Sequence, residues 1–237
     1  MLYQTLYGAW PEGLATDDAA GLSAFATRVN AWQEKALREG KLRSSWEAPQ
    51  EEYEARCAAL TEALLDPARS AAFLGDLAAL HAATDAAAQA NTLAQMTLRL
   101  TVPGVPDTYQ GTEMPDLSLV DPDNRRPVDY AARERALADG GSPKLALLAE
   151  LLALRRAHPA VFAGGDYQPV PVSGERAGHV LAFVRTAGDE RLLVAVGLRL
   201  SDMDDAGWWG DTAIDVHGET TSVAALFGDR TVAARIL

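Results

Sequence analysis

Residues 179–200 read HVLAFVRTAGDERLLVAVGLRL, two apolar runs on either side of the pair Gly188-Asp189. Runs rich in Val and Leu that flank such a turn signal predict neighbouring β-strands. Four more runs of this kind occur between residues 166 and 237: YQPVPV (167–172), TAIDVH (212–217), TTSVAAL (220–226) and TVAARIL (231–237). Six short strands in this region predict an antiparallel sheet or a small sandwich.

The first hundred residues instead show the three- and four-residue apolar spacing of helices. One apolar stripe joins residues 22 to 36 and predicts an amphipathic helix that Asp17 or Asp18 can cap. A second helix is predicted to begin near Pro49, a third at Pro67, and a fourth to run over about 85–98. The second is predicted to carry Tyr53, Cys57, Leu60 and Leu64 on one face.

A fifth helix is predicted over residues 144–158, KLALLAELLALRRAH, with Ser142 as its N-cap and Pro143 at its first position. Arg155 and Arg156 would then lie near its negative C-terminal pole. Upstream of it, TVPGVPDTY (101–109) combines β-branched residues with two prolines, which predicts a short buried strand that enters a long loop.

The composition is that of a globular protein, with 48% hydrophobic and 23% charged residues. The net charge is −12, so neither nucleic acid nor an anionic membrane surface is expected as a partner. The single cysteine, Cys57, excludes an intrachain disulfide and fits a reducing compartment. No signal peptide and no apolar stretch of membrane-spanning length is evident, so a cytoplasmic location is expected.

The polar residues are concentrated in one loop, Tyr109–Tyr130, which reads YQGTEMPDLSLVDPDNRRPVDY. A retaining glycosidase needs two carboxyl groups about 5 Å apart. The loop offers five candidates, and an equally ordinary interpretation is that they form turns and solvate the loop. These candidates are Glu113, Asp116, Asp121, Asp123 and Asp129.

Other chemistries find less support in the sequence. The start of the segment 121–126, DPDN, is similar to an EF-hand loop, but two arginines stand where calcium ligands and a glycine are needed. The four histidines are scattered and Cys57 has no cysteine partner, which argues against zinc. No G-x-S-x-G, phosphate-loop or dinucleotide signature occurs, so we expect no metal or cofactor.

Two pairs of residues leave alternatives open. Arg125 and Arg126 could clamp a carboxylate or a pair of sugar hydroxyls, or could form a surface ion pair of little energetic value. Trp208 and Trp209 could stack on a sugar ring or fill the core of the strand-rich region.

The stretch PGVPDTYQGTEMPDLSLVDPDNRRPVDY (103–130) resembles the loop after the eighth barrel strand of the maltooligosyltrehalose synthase family, within the α-amylase superfamily of (β/α)8 glycosidases. The superfamily shares only a loose G-x-P-x-x-Y-x-G-x-E pattern, whereas SLVDPDNRRPVD is much narrower. Further stretches resemble the same family in the same order, and the likeness weakens after about His217. They are YQTLYGAWP (3–11), KALREGKLRSSWEAPQEEYE (35–54), FVRTAGDERLLVAV (183–196) and WWGDT (208–212).

The resemblance implies an isomerase of trehalose biosynthesis. It converts the reducing-end α-1,4 bond of a maltodextrin to α,α-1,1 by intramolecular transglucosylation with retention, without a cofactor. The implied substrate-binding residues are Tyr109, Glu113, Asp121, Asp123, Asn124, Arg125 and Arg126. Gly111, Asp129 and Tyr130 are implied to support them, and Arg125 to brace the floor of the pocket for the terminal sugar ring.

Two departures from the family pattern matter. The superfamily uses three catalytic carboxyl groups: a nucleophilic Asp, an acid/base Glu and a stabilising Asp. None of the three has a counterpart in this sequence. The resemblance therefore implies no catalytic residue here, and the chain alone is expected to be inactive. Met114-Pro115 stands where Leu-Trp is expected, which would loosen one wall of the pocket.

These observations predict an α+β chain that forms the C-terminal portion of such an enzyme. The predicted domains are a helical region (1–100), the last strand, loop and helix of a (β/α)8 barrel (101–163), and an antiparallel β-sandwich (164–237). An exposed barrel seam would permit self-association. The alternatives are a stand-alone maltodextrin-binding or protein-interaction module, and, less favoured by SLVDPDNRRPVD, a hydrolase or sucrose-type transferase of the superfamily.

Overall fold

The computed structural model describes residues 1–216 and 218–237, so the last position of the predicted strand 212–217 lies outside it. The helices are α1 (Leu2–Gly8), α2 (Ala19–Gly40), α3 (Glu51–Leu64), α4 (Pro67–Thr101), α5 (Tyr130–Asp139), α6 (Pro143–Ala157), α7 (Pro159–Gly164) and α8 (Val223–Phe227). The strands are β1 (Asp166–Pro169), β2 (Val172–Ser173), β3 (Val180–Ala187), β4 (Glu190–Gly197), β5 (Ala213–Val216), β6 (Glu219–Ser222) and β7 (Val232–Ile236). No helix in the described ranges is long and apolar enough to cross a membrane.

The chain separates into two compact units. The first unit contains residues 1–83 and 116–128, and the second contains residues 84–115 and 129–237. Helix α4 contributes residues to both units, and the polar loop is divided between them. The mixture of helices and antiparallel strands confirms the predicted α+β class.

The first unit is helical, and its core follows the predicted stripe of α2. Leu22, Phe25 and Val29 are buried there against residues of α1 and α4. Asp18 is the N-cap of α2, since its side chain accepts a hydrogen bond from the Gly21 N–H. The prediction for this helix is therefore confirmed.

Two predictions for the other helices of this unit need correction. On α3 the predicted Tyr53, Cys57 and Leu64 are half-buried, but Leu60 is exposed and the fully buried residue is Thr61, because the buried face is rotated slightly from the predicted one. The predicted third and fourth helices form one continuous helix, α4, interrupted only by non-helical backbone at Ser70. The alanine-rich run 82–90 contains no Gly or Pro, and alanine has the strongest helix propensity, so nothing ends the helix there.

The second unit contains two antiparallel sheets, of order β1-β3-β4-β7 and β2-β5-β6. The predicted pair of strands 179–186 and 191–200 is confirmed as the β3–β4 hairpin, with Ala187 opposite Glu190 around the turn. Five of the six strand predictions fall on observed strands. In TTSVAAL only the first residues are a strand, and the rest form α8, which Ser222 caps by accepting from the Ala225 N–H.

Strands β3 and β4 are buried on both faces, which explains their continuous apolar sequences. Val184 and Leu193 belong to one cluster that also contains Trp209 and residues of β5 and α8. Phe183 and Leu192 belong to the opposite cluster, with residues of α7. Because successive side chains of a strand point to opposite faces, both faces need apolar residues here.

The prediction of a strand within residues 101–109 is wrong. Thr101 is the last residue of α4, and residues 102–129 contain no strand. A short segment with two prolines has few N–H groups to pair, and it becomes a strand only beside a partner strand. Val105 in this segment is fully exposed.

The most deeply buried cation of the second unit is Arg185 on β3, which is 1% exposed. Its guanidinium donates hydrogen bonds to the carbonyl oxygens of Thr101 (3.2 Å), Phe162 (3.1 Å) and Gly165 (2.9 Å). These carbonyls lie at the C-terminal ends of α4 and α7, where helix carbonyls lack intrahelical partners and the helix dipole is negative. The arginine therefore joins two helix ends to the sheet.

A close approach at Gly165 makes this arrangement possible. A Cβ atom at that position would lie 2.4 Å from the carbonyl oxygen of Val161 and 3.2 Å from that of Thr186. Only glycine fits between α7 and β3 at this point, and its own carbonyl remains free to accept from Arg185.

Helix α6 begins as predicted, since Ser142 accepts from the Leu145 N–H and Pro143 occupies the first turn. Arg155 and Arg156 lie in the last turn of α6, as predicted, and Arg155 also reaches beyond its own helix. Its guanidinium donates to the carbonyl of Leu100 at 2.6 Å and lies over the ring of Phe162. A second arginine thus satisfies the C-terminal end of α4.

We predict that Arg185→Met lowers the free energy of unfolding by about 3 kcal/mol, because three buried carbonyls lose their donor. The change is measured as a lower midpoint in urea denaturation. Arg191→Met, at an exposed arginine of the neighbouring strand, is the matched control and should shift the midpoint little. Equal midpoints for the two variants would contradict the proposed importance of Arg185.

Candidate functional site

The polar loop is divided at residues 115/116 and 128/129 between the two units. Residues 116–128 belong to the helical unit, and residues 109–115 and 129–130 to the unit that contains the sheets. The structure therefore groups the predicted residues Asp121 to Arg126 in one unit, and the predicted residues Tyr109, Gly111, Glu113, Asp129 and Tyr130 in the other.

Asp123 is the anchor of the segment 116–128, and its side chain is only 3% exposed. Arg28 of α2 donates to both of its carboxylate oxygens, from Nε at 3.0 Å and from Nη2 at 2.9 Å. The backbone N–H of Leu119 donates to the same carboxylate at 2.8 Å. Leu119 also packs against the core of the unit, so this carboxylate joins the loop to α2.

Asp121 lies between two cations. Lys35 of α2 donates to its carboxylate at 3.0 Å, and Arg125, four residues further along the chain, pairs with the same carboxylate. The Asp121–Pro122 peptide bond is cis. The Arg125 side chain is 73% exposed, so most of its donors face solvent.

The remaining residues of this turn differ in their contacts and in their exposure to solvent. Arg126 donates to the carbonyl of Asp123 (3.0 Å) and to Oγ of Ser118 (3.1 Å), which holds it against its own loop. Asn124 lies exposed in the short 3₁₀ helix Asp123–Arg125. Arg125 is the more exposed of the two adjacent arginines, although Asp121 engages its Nε and Nη2 atoms.

In the second unit, Arg133 of α5 organises residues 109–115. It donates to the carboxylate of Glu113 (3.1 Å) and to the carbonyl of Gly111 (2.7 Å). Gly111 has φ of +89°, a conformation that favours glycine in the turn after Tyr109. Tyr109 is 62% exposed, and the hydroxyl of Tyr130 reaches Gln110 at 3.4 Å.

The electrostatics of the aspartates favour the ionised state. Hydrogen bonding from Lys35, assisted by Arg125, lowers the pKa of Asp121. Burial acts to raise the pKa of Asp123, but the hydrogen bonds from Arg28 and the Leu119 N–H outweigh it, so the net shift is downward. Both residues are thus unsuited to be a general acid, which needs a raised pKa.

The five carboxylates of the loop all have partners. Asp116 accepts from the Ser118 N–H, and Asp129 accepts from the Ala132 N–H as the N-cap of α5. Together with the three pairs above, this arrangement favours the interpretation that the acids shape the loop over the interpretation that two of them form a glycosidase pair. In the described ranges no group of three or more His, Cys, Asp or Glu residues is placed to hold a metal ion.

Three residues of this arrangement were not found from the sequence: Arg28, Lys35 and Arg133. Arg28 and Lys35 meet acids that lie 95 and 86 positions away. Their seven-residue spacing places them on one face of α2, which is the signal that was available. Nothing in that spacing identifies their partners.

The structure decides between the two interpretations for one residue of the tryptophan pair. Trp209 is 1% exposed and lies in the core cluster, as the core interpretation predicts. Trp208 is half-buried, with the guanidinium of Arg176 4.6 Å from its ring centroid and His179 edge-on to it.

No protein-family model matches the chain. It is 40% identical over 243 residues to the maltooligosyl trehalose synthase of two Mycobacterium tuberculosis strains, CDC 1551 and H37Rv, an alignment that covers 96% of this chain. The structure of maltooligosyltrehalose synthase from Arthrobacter ramosus matches all of the chain, with 32% identity and a TM-score of 0.78, and a variant of that enzyme gives 0.79.

The chain belongs to the maltooligosyltrehalose synthase family. It spans about 30% of the length of the curated family members that it matches and 32% of the Arthrobacter ramosus structures. The resemblance seen in the loop and in the flanking stretches is therefore confirmed over nearly the whole chain.

We predict that Asp123→Asn destabilises this family member by roughly 3 kcal/mol at pH 7, because Arg28 loses its buried partner. A carboxyl whose folded pKa is lowered stabilises the fold above its unfolded pKa of about 3.9, and this contribution is lost as pH falls through the folded value. Urea denaturation below pH 4 should therefore show a shallower loss of stability for Asp123→Asn than for the unmodified chain.

The exposed Asp116→Asn is the matched control for this experiment. It removes a carboxylate from the same loop but no buried ion pair, so its stability at pH 7 should change by less than about 1 kcal/mol. A control variant as unstable as Asp123→Asn would contradict the anchoring role of Asp123.

Proposed function

We propose that the chain is the C-terminal part of a maltooligosyltrehalose synthase. That enzyme would isomerise the reducing-end α-1,4 bond of maltodextrins to α,α-1,1 by intramolecular transglucosylation, for trehalose biosynthesis. The proposal is supported by 40% identity across 96% of the chain to relatives of that name, and by the loop SLVDPDNRRPVD. The substrate would be a maltooligosaccharide, with neither nucleic acid nor membrane as a partner and no cofactor.

In this proposal the polar loop binds substrate and performs no bond chemistry. The exposed Arg125 side chain projects from a turn that Lys35 and Arg28 join to α2. A binding side chain needs rigid support of this kind. Its planar guanidinium can donate to two neighbouring hydroxyls of a sugar. Tyr109 supplies an exposed ring and hydroxyl in the second unit.

The contacts of the other predicted residues give them supporting roles in the proposal. Asp121, Asp123 and Arg126 hold the turn, and Glu113 is held by Arg133. Asn124 is exposed and would offer its amide to the substrate. Gly111, Asp129 and Tyr130 shape the two ends of the loop, through the Gly111 turn and the cap of α5.

The finer architecture of the longer enzyme is also part of the proposal. Residues 1–100 would belong to the catalytic domain, residues 101–163 would form the end of a (β/α)8 barrel, and residues 164–237 would form a β-sandwich. The two sheets that share one core cluster support the sandwich. Val105 is fully exposed, and pairing of its segment as a barrel strand, or self-association at that seam, would cover it.

We further propose that the catalytic Asp, Glu and Asp of the enzyme are supplied by residues outside this chain. The carboxylates of the loop are held by arginine, lysine or backbone N–H groups, and those of Asp121 and Asp123 have lowered pKa values. A single half-buried cysteine fits the reducing cytoplasm that we propose as the site of action.

We predict that the 237-residue chain leaves maltopentaose unchanged. The expected result is no loss of reducing ends and no non-reducing product by chromatography, because no paired nucleophile and acid are present in the loop. Formation of a non-reducing product by this chain alone would sink the proposal that the chemistry lies elsewhere.

We predict that Arg125→Ala weakens maltopentaose binding by the chain about tenfold in calorimetry, because hydrogen bonds from a charged group are lost. Arg56→Ala is the matched control, since Arg56 is also an exposed arginine in an i,i+4 ion pair of the same unit. Cellopentaose, whose bonds are β-1,4, should bind more weakly than maltopentaose. Equal binding of the two sugars would count against a maltodextrin substrate and for another function.

A further inference from the structure

Trp46 is an exposed tryptophan of the first unit, and it is not part of the polar loop. It lies at the tip of the segment 41–50, between α2 and α3, and is 51% exposed. About half of the Trp46 side chain is therefore accessible to a ligand.

One side of the Trp46 ring is backed by a cation. The guanidinium carbon of Arg38 lies 4.9 Å from the ring centroid. Arg38 is itself immobilised, because Nε and Nη2 donate to the two carboxylate oxygens of Glu54 at 2.8 and 2.7 Å, and Nη1 meets Glu34 at 2.9 Å. The bidentate geometry with Glu54 fixes the plane on which the ring rests.

The backbone on both sides of the ring is also held. The hydroxyl of Ser44 donates to Glu54 and accepts from the Gln50 N–H at 3.0 Å. The hydroxyl of Ser45 accepts from the Ala48 N–H at 3.0 Å. The hydrogen bonds from Arg38 and Ser44 lower the pKa of Glu54 to about 2, so this support stays ionised over the physiological range.

The surroundings of the ring favour a sugar over a protein partner. A protein interface needs about 800 Å² per partner with an apolar centre. Trp46 instead lies against Arg38, which pairs with Glu34, and its segment carries the exposed ion pair Lys41–Glu47. A glucosyl unit has one flat face of C–H groups and a rim of hydroxyls. It can stack its C–H face on an aromatic ring and direct its hydroxyls to the charged neighbours.

The position of the ring along α2 relates it to the Arg125 turn. Lys35, which holds Asp121, precedes Arg38 by three residues, or about 4.5 Å along the helix. Helix α2 therefore supports both the Arg125 turn and the Trp46 ring from neighbouring positions within one unit.

We propose that Trp46 is a stacking platform for a glucosyl unit of a maltooligosaccharide, in the same unit as Arg125. The ligand would cover the ring face opposite Arg38. This inference rests on the proposed function, because it takes a maltodextrin as the ligand, but it assigns a second point of contact to that ligand.

The first test is calorimetry of the 237-residue chain with maltopentaose. Trp46→Ala is expected to weaken binding at least about tenfold, and Trp46→Phe, which keeps an aromatic ring, by less than about threefold. Trp32→Phe is the matched control: Trp32 is a partly buried tryptophan of the same unit that packs against its core, so its substitution should leave binding unchanged.

A second measurement on the unmodified chain does not depend on how the variants fold. Maltopentaose should protect Trp46 from oxidation by N-bromosuccinimide, read by mass spectrometry of the peptide that contains residues 44–51, while the oxidation of Trp32 stays the same. Cellopentaose should protect less.

The outcomes separate the platform from the proposed function. Unchanged binding by Trp46→Ala, with binding still lost in Arg125→Ala, overturns the platform and leaves the proposed function standing. Absence of maltopentaose binding, or of protection at Trp46, also overturns the platform. Self-association of the chain that disappears in Trp46→Ala, without any effect of sugar, would identify the ring as a contact between copies instead.

Discussion

Two arginines, Arg185, which is buried, and Arg155, which is partly buried, fix the point at which helix α4 ends, and much of the second unit is built around that point. Arg185 and Arg155 donate to the carbonyls of Thr101 and Leu100, the last two residues of the helix. A buried helix end leaves carbonyls without partners, and a guanidinium satisfies them while its charge complements the helix dipole. The segment that follows α4, residues 102–108, leads directly into the polar loop. Its first segment, up to Pro115, therefore leaves from a position that the sheet and α7 determine through Arg185.

The same type of interaction, an arginine or lysine held by oxygen acceptors, supports the loop. Asp123 and Asp121 are joined to α2 by Arg28 and Lys35, and Glu113 is joined to α5 by Arg133. These acidic residues suggest catalysis when only the sequence is considered, but their contacts stabilise the conformation of the loop. The Arg125 side chain is exposed, and the donors that Asp121 does not engage are open to a ligand. Hydrogen-bond donors on a rigid turn suit a neutral polyhydroxylated substrate.

Helix α2 links the two proposed contacts of the substrate. Its polar face carries Arg28, Lys35 and Arg38, which hold the two sides of the Arg125 turn and the ring of Trp46. Each of these bases is itself fixed by a carboxylate, so the exposed groups are pre-organised rather than ordered on binding. A helix with one buried apolar stripe and one basic stripe can thus act as both a core element and a scaffold for a binding surface.

The sequence by itself determined the elements that local patterns define: the stripe of α2, the caps Asp18 and Ser142, and the β3–β4 hairpin. It also determined the family, since SLVDPDNRRPVD is a narrow signature. Only the tertiary structure decided that α4 is continuous, that TTSVAAL turns into a helix halfway, and which base meets which acid in the loop. Helix and strand signals act over a few residues, whereas Arg28 and Asp123 are 95 positions apart. Their pairing depends on how distant elements pack, and no local pattern encodes it.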